Sequence, residues 1–578
     1  MPTATGITLL AIGLVAVVTV AIGAYGLRMS RTTSDFLVAS RSVGPRWNAA
    51  AISGEYLSAA SCLGVAGLVA KYGSDALWYP VGFTAGYLAL LLFVAAPLRR
   101  SGAYTIPDFA EFRLGSTRLR RLATLVVVLI CWLYLVPQLQ GAGLTLRILT
   151  GLPSWAGAVA VGVVVVANVL SGGMRAITLV QAFQYWLKLT AIAVPALVLL
   201  LHFAAEDRPV GTAAPPTVTA QTAIDVRTEV LLQVQHPLRL RARGVVDQTT
   251  VDGELLLAPG EHTVAARSTL TLAAGSEVPV VAGVPASNEQ WLRPVNGLGG
   301  GHPLFATYSL ILATFLGTMG LPHVLVRFYT NVDGRAARAT TVVVLALLGV
   351  FYLFPTVLGL LARLYVPQLL VTGTTDAAVL LLPGAVLSGL AGQLLAALVA
   401  AGAIAAFLST SSGLVVTVAG VLSADVLRGR VRDFRFAALL AGAVPLVLTL
   451  ALVSLDLSQS VGLAFAVAAS TFCPLLVLGI WWRGLTAAGA ACGLTVGAAL
   501  SVGAVAMAVL GLGPDGWWRS VVTQPAAVSV PVAFAVMVLA SLATRRTVPV
   551  NVGRVLLRLH APERLGMGVD RDVERWGP

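Results

Sequence analysis

Runs of about 20 apolar residues, the length that crosses a bilayer as a helix, recur along the whole of this chain, and nothing else in it restricts the fold as much. Lipid supplies no hydrogen bonds, so each run must satisfy its own N–H and C=O groups and therefore be helical. Windows of about 19 residues place spans near 6–27, 47–70, 76–96, 122–148, 156–171, 177–203, 304–326, 339–365, 385–424, 434–455, 460–482, 485–511 and 526–544. Charged side chains make up 11% of the 578 residues, against roughly a quarter in soluble domains. The expected class is an all-α polytopic membrane protein with about 13 transmembrane helices. The first run has no basic stretch ahead of it and ends in Arg28, Met29, Ser30 and Arg31 rather than a small-residue cleavage site, so it reads as a retained helix.

The formal charge of +13 does not indicate a nucleic-acid partner, because the basic residues are nearly all arginine and lie scattered between the apolar runs, as topology determinants do. Clusters such as Arg99, Arg100, Arg118, Arg120 and Arg121 fall in loops 28–46, 97–121, 327–338, 427–433 and the tail from Arg545. The alternate loops 71–75, 149–155, 366–384 and 512–525 hold only Lys71 and Arg519. This bias predicts a multi-pass protein of the cell membrane with its N-terminus outside and its C-terminus in the cytoplasm. Cys62, Cys131, Cys473 and Cys492 all lie in apolar segments with no CxxC pair or His cluster, so neither a disulfide framework nor a metal site is indicated. No metal, nucleophile–base or phosphate-loop spacing appears, which argues against an enzyme, and His323 beside Pro322 reads as structural.

Residues 204–303 break the pattern, being polar and containing Pro209, Pro215, Pro216, Pro237 and Pro259. "EVLLQVQHPLRLRARG" (229–244) alternates Leu232, Val234, His236, Leu238 and Leu240 against Gln233, Gln235, Arg239 and Arg241. "TVDGELLLAPGEHTVAARSTLTL" (250–272) carries Asp-Gly and Pro-Gly steps of the hairpin kind. A small β-rich extracytoplasmic insert is expected; the competing reading is a flexible linker, since ends such as "NGLGGGHP" (296–303) are Gly-rich.

Setting the insert aside leaves two groups of five spans, 47–203 and 304–482. Five is odd, so the second group enters from the opposite face, and the groups would be inverted repeats if their sequences are related. The expected organisation is a first helix with one five-helix group (1–203), the insert (204–303), a second five-helix group (304–482), two further helices (483–544) and a basic cytoplasmic tail (545–578). The first helix of each group carries a glycine-bearing interruption, "SGEYLS" (53–58) and "LGTMGLPH" (316–323). Interrupted helices at matching positions of two halves point to a substrate site.

Where a helix unwinds in a membrane its backbone groups lose their partners, and the break survives only if it lines a polar cavity or binds something. Half-helix N-termini favour an anion and freed carbonyls a cation. Glu55 lies in the first interruption and, at bilayer depth, needs a partner, for which Lys188 is a candidate because it too lies within a span. Two readings of Glu55 stay open: a functional group facing the cavity, or a hydrogen-bonded tie between helices. A second polar island, "AAFLSTSSGLV" (405–415), puts Ala406, Ser409 and Thr410 at i, i+3 and i+4 on one helical face. One carbonyl and two hydroxyls there suit an alkali cation; the bland alternative is hydroxyls bonded back to their own helix.

On these residues the chain resembles the sodium/solute symporter family, and within it the bacterial cation/acetate symporters. "GEYLSAASCLGVAGLVAKYGSDALWYPVGFTAGY" (54–87) is similar to that subfamily's second and third helices, followed by the similar "GAYTIPDFAEFRLGS" (102–116), "PQLQGAGL" (137–144), "SGGMRAITLVQAF" (171–183) and "GLPHVLVRFYT" (320–330). The resemblance covers nearly all of 6–545 apart from the insert, which is not part of the family's pattern. It implies an inverted five-helix repeat (LeuT-like) and a sodium site made by backbone oxygens of Ala49, Ile52 and Ala406 with the hydroxyls of Ser409 and Thr410. Ala51 offers no side-chain ligand where some relatives have a polar residue. The resemblance also implies a carboxylate site near Ser53, Gly54, Tyr56, Gln138 and Thr318, hence symport of Na+ with a short acid such as acetate, propionate or pyruvate. Na+ is the expected coupling ion and no other cofactor is expected; Glu55 is the candidate carrier should a proton move as well. Rival readings are a symporter of the same fold for proline or a vitamin, and a transporter-like sensor whose insert recruits an extracytoplasmic partner.

Overall fold

Residues 2–27, 39–206, 215–295, 301–427, 431–451, 457–510 and 516–562, with Leu298, Leu512 and Leu565, are described by the computed structural model. Parts of the basic loop 28–46, of the insert's two ends and of the basic tail lie outside the described residues. Before the insert come α1 (Pro2–Leu27), α2 (Pro45–Tyr56), α3 (Val65–Tyr72), α4 (Trp78–Phe93), α5 (Thr117–Thr150) and α6 (Ser154–Ala205). After it come α7 (Pro303–Gly320), α8 (Pro322–Val326), α9 (Gly334–Tyr365), α10 (Gly389–Asp425), α11 (Val431–Ala451), α12 (Leu457–Trp481), α13 (Ala487–Leu510) and α14 (Ala526–Ala543).

Among the described residues 12 helical segments are long and apolar enough to cross a membrane, against the about 13 expected from hydropathy windows. The difference arises at the first interruption. The span expected at 47–70 is divided between α2 and α3, neither of which is long enough alone, and Ala60–Phe93 runs on as one apolar stretch through the turn at Gly73–Leu77.

Both interruptions form, for different local reasons. In the second, Pro322 has no N–H and disfavours a helical conformation at the residue before it; Leu321 accordingly sits at φ −70°, ψ 115° between α7 and α8. In the first there is no proline. Leu57 leaves the helical region at φ −72°, ψ 84°, the Ser58 N–H turns back to Tyr56 O at 2.8 Å, and the chain restarts with the Ser61 and Cys62 N–H groups on Ser58 O at 3.0 and 3.1 Å. α10 is buried over most of its length among α1, α5 and α6, while α7 packs between α4 and α12.

The insert is a sheet of β1 (Thr222–Val226), β2 (Val230–Val234), β3 (Leu238–Val246), β4 (Thr249–Leu257), β5 (Gly260–Val264), β6 (Ser268–Leu272) and β7 (Val280–Val281). Its order is β1-β6-β3-β5-β2-β7 with β4 on β3, and every pair is antiparallel. The single alternating run at 229–244 is two strands parted at His236–Pro237, because proline cannot donate to a ladder. Asp252–Gly253 lies inside β4 and is not a turn. The β3–β4 turn is Asp247–Gln248, at φ 49° and 64°. The Asp247 carboxylate supports that left-handed backbone by accepting from Thr263 N–H at 2.8 Å and bonding His262 Nδ1 at 2.6 Å. Pro259–Gly260 does link β4 to β5.

A short helix after the sheet, Asn288–Leu292, fastens the insert to the helices. Trp291 Nε1 donates to Val69 O at 2.8 Å, and Arg363 of α9 reaches Asn288 Oδ1 and Ala70 O, each at 3.2 Å, and Pro285 O at 3.0 Å. Gly73 is glycine because its φ is +63° and a Cβ there would stand 1.9 Å from Trp291 O. Trp291→Phe keeps an aromatic ring but removes the indole donor to Val69 O, leaving that carbonyl only the Gly73 N–H, a loss worth about 0.5–1.5 kcal/mol. Limited proteolysis of the folded protein should cut this variant faster within 285–303 than wild type.

Candidate substrate and cation site

The two interruptions meet through Arg327 and through side chains carried by α6 and α10. Arg327, the residue after α8, is fully buried and its Nε lies 2.6 Å from Glu55 Oε2. Its two other nitrogens donate to Thr178 Oγ1 at 2.8 Å and to Gln181 Oε1, both on α6, while Asn48 Nδ2 holds its carbonyl at 3.2 Å. Gln181 in turn donates to Ser409 O at 2.8 Å. The partner of Glu55 is thus Arg327 and not Lys188. A buried carboxylate needs a cation that also meets its hydrogen-bond geometry, and the guanidinium fork supplies several directed donors where an ammonium is a point charge.

Lys188 instead reaches the backbone of the first break. Its Nζ donates to Gly54 O, to Leu57 O at 2.6 Å and to Ser409 Oγ at 3.0 Å. The predicted face of α10 points the same way: Ser409 Oγ donates to Gly54 O and Thr410 Oγ1 to Glu55 O at 2.7 Å. Ala406 lies one turn earlier on α10, buried. Ala49 and Ile52 are inside α2, where each carbonyl faces the N–H four residues on, at Ser53 and Tyr56, still within the helix. Because α2 holds to Tyr56, the carbonyls that its end exposes to side chains are those of Gly54, Glu55 and Leu57, rather than those of Ala49 and Ile52.

The residues expected at the carboxylate site are all buried. Tyr56 and Thr318 join the two interrupted helices directly, with 3.0 Å between their hydroxyls, and Tyr56 also donates to Phe83 O at 3.2 Å. Ser53 Oγ and both amide atoms of Gln138 have no hydrogen-bond partner among the described residues, and neither do Ser58 Oγ and both ring nitrogens of His323. Buried polar atoms are rarely left so, at a cost of about 1–3 kcal/mol each, so these groups are free to bond a water, an ion or a ligand. The His323 ring stands edge-on to Tyr134, with centroids 5.2 Å apart, one turn before Gln138 on α5.

A family model matches most of the chain. The Sodium:solute symporter family matches residues 36–243 and 285–497. The chain belongs to that family. A sodium:solute symporter is a multi-pass membrane transporter and not an enzyme. The chain is 30% identical over 484 residues, 82% of its length and 80% of the relative's, to an uncharacterized symporter, YwcA, of Bacillus subtilis. It is 28% identical over 577 residues, 95% of its length and 93% of the relative's, to a monocarboxylic acid transporter of Corynebacterium glutamicum. A Na+-coupled sialic acid symporter in its substrate-bound outward-open state has the same fold, with a TM-score of 0.62 at 13% identity over 92% of this chain and 98% of that one.

Sequence reasoning gave no role to Arg327, Thr178, Gln181, Ser58 or Tyr134. Arg327 carried a readable signal, an arginine just beyond a broken helix inside an apolar segment. Thr178, Gln181 and Tyr134 are ordinary polar residues of membrane helices until a partner 100 or more positions away is known, and Ser58 offers no signal of its own. His323, read as structural, has both ring nitrogens without a hydrogen-bond partner among the described residues.

Proposed function

We propose that this symporter couples Na+ entry to the uptake of a short monocarboxylate such as acetate, propionate or pyruvate. One observation carries the reading. Arg327 is bonded to the carboxylate Glu55 and Lys188 to main-chain oxygens of the same break, so these groups sum to one positive charge, with Ser53 Oγ and the Gln138 amide left without hydrogen-bond partners among the described residues. A monoanion complements that charge, and the name of the Corynebacterium relative supports the substrate class. The carboxylate accepts from the Gln138 amide and from N–H groups around 53–56, with Tyr56 and Thr318 closing the space. Sodium takes the Ser409 and Thr410 hydroxyls with main-chain oxygens of the first break; Ala406 adds its carbonyl, and Ala49 and Ile52 join if the last turn of α2 opens. The insert faces outward, and the tail lies in the cytoplasm.

One sodium with one monocarboxylate is electrically neutral, so membrane potential then adds nothing to accumulation; each further charge would add about 2.3 kcal/mol per 100 mV. Acetate uptake into proteoliposomes should fall at least about ten-fold, roughly 1.4 kcal/mol, when sodium is replaced by choline at fixed pH. Propionate and pyruvate should compete and proline should not. Uptake indifferent to choline, or blocked by proline, would point to another ion or another solute.

A further inference from the structure

Lys188 projects from α6 into the first break, fully buried. An ammonium carries three N–H donors, and Gly54 O, Leu57 O and Ser409 Oγ take all three. Two of these acceptors are main-chain carbonyls at the end of α2, and the third is a hydroxyl of the α10 face that suits a cation. Such a set of neutral oxygens is what carriers offer an alkali ion in place of its hydration shell. The carboxylate of the same break is bonded to Arg327, so oxygen dipoles hold the Lys188 charge.

We propose that the Lys188 ammonium is a tethered occupant of the cation position: a sodium ion takes the Gly54, Leu57 and Ser409 oxygens only when this side chain leaves them. Two cations sharing these oxygens would stand a few ångströms apart in a site of low dielectric, where like charges repel strongly. Exchange avoids that. It also keeps one surplus positive charge in the site whichever cation is present, ready for one monoanion. Lys188 thereby sets the affinity for the coupling ion. The identity of the competing ion rests on the sodium-coupled reading above; the position of Lys188 does not.

The test uses the purified full-length protein, melted across a NaCl series balanced with choline chloride, and the same series for acetate uptake in proteoliposomes. In Lys188→Met the half-saturating sodium concentration should fall about ten-fold or more, since a competitor has been removed, whereas Lys188→Arg, which keeps the charge, should stay near wild type. Lys188→Gln keeps donors without charge and carries the same readout if Lys188→Met does not purify as a single species. A lysine that only braces the break would leave sodium response unchanged or weaken it, and that result overturns the proposal. If wild-type uptake ignores sodium, the coupling reading fails separately. The tethered cation then stands only if Lys188→Met gains stabilisation by sodium over choline, and falls if it does not.

Discussion

Arg327→Met is expected to abolish uptake and to destabilise the folded protein by about 3–5 kcal/mol, the usual result of stripping one partner from a buried ion pair. Arg327 and Glu55 are 0% and 1% exposed, with 2.6 Å between Nε and Oε2. Removing the guanidinium leaves the Glu55 carboxylate stranded, with Oε1 already unbonded, and frees Thr178 and Gln181 from the second break. Glu55→Gln should be milder, since the amide oxygen can still accept from Nε, though it leaves Arg327 without its counter-charge. The double variant Glu55→Gln, Arg327→Met should recover part of the lost stability, because no charge is stranded, but not the uptake, because the tie between the breaks is gone. Detergent thermostability and acetate uptake measure the two effects independently. An Arg327→Met protein that transports at more than about a tenth of the wild-type rate would show that the pair contributes less than about 1.4 kcal/mol to the transport cycle.

The contrast between Arg327 and Lys188 shows where sequence reading ran out. That both runs are interrupted was legible from the polar, glycine-bearing stretches in them, but only in the second does a residue, Pro322, dictate the local backbone; Gly54 of the first stays helical within α2. The strand-rich character of the insert was legible from alternation, and the shared face of Ser409 and Thr410 from helical spacing. The exact end of α2 was not, since "SGEYLS" contains no proline and the helix could stop at any of several residues. Long-range donors coincide with the stopping point: Thr410 bonds Glu55 O, Lys188 bonds Leu57 O, and Lys188 and Ser409 bond Gly54 O. Likewise Glu55 and Arg327 are 272 positions apart, so the need for a partner could be read from Glu55 while its identity could not. Lys188 was the nearer guess by rarity, but Arg327 offers the directed donors that a buried carboxylate requires.

Gly54→Ala should be the most damaging single-methyl change in the first break, and Gly44→Ala at the other end of the same helix should be silent. A Cβ on Gly54 would stand 2.2 Å from Gln181 O and 3.0 Å from Gln181 C, whereas one on Gly44 would meet nothing within 4 Å. Gly44 caps α2 at φ −68°, ψ 151°, which any residue adopts. At Gly54 the obstructing atoms are main chain of α6, which cannot turn aside as a side chain would, so α2 and α6 must separate. That separation draws Lys188 away from Gly54 O and Gln181 away from Arg327 together, because both side chains leave the same helix. Overpacking of this kind costs about 1–3 kcal/mol, and the uptake loss should be larger than stability alone explains, at least about ten-fold, because the proposed ion and acid sites are built on the geometry of this break. Uptake by Gly54→Ala and Gly44→Ala at matched membrane abundance tests this; equal rates would mean that α2 and α6 do not need this close approach to transport.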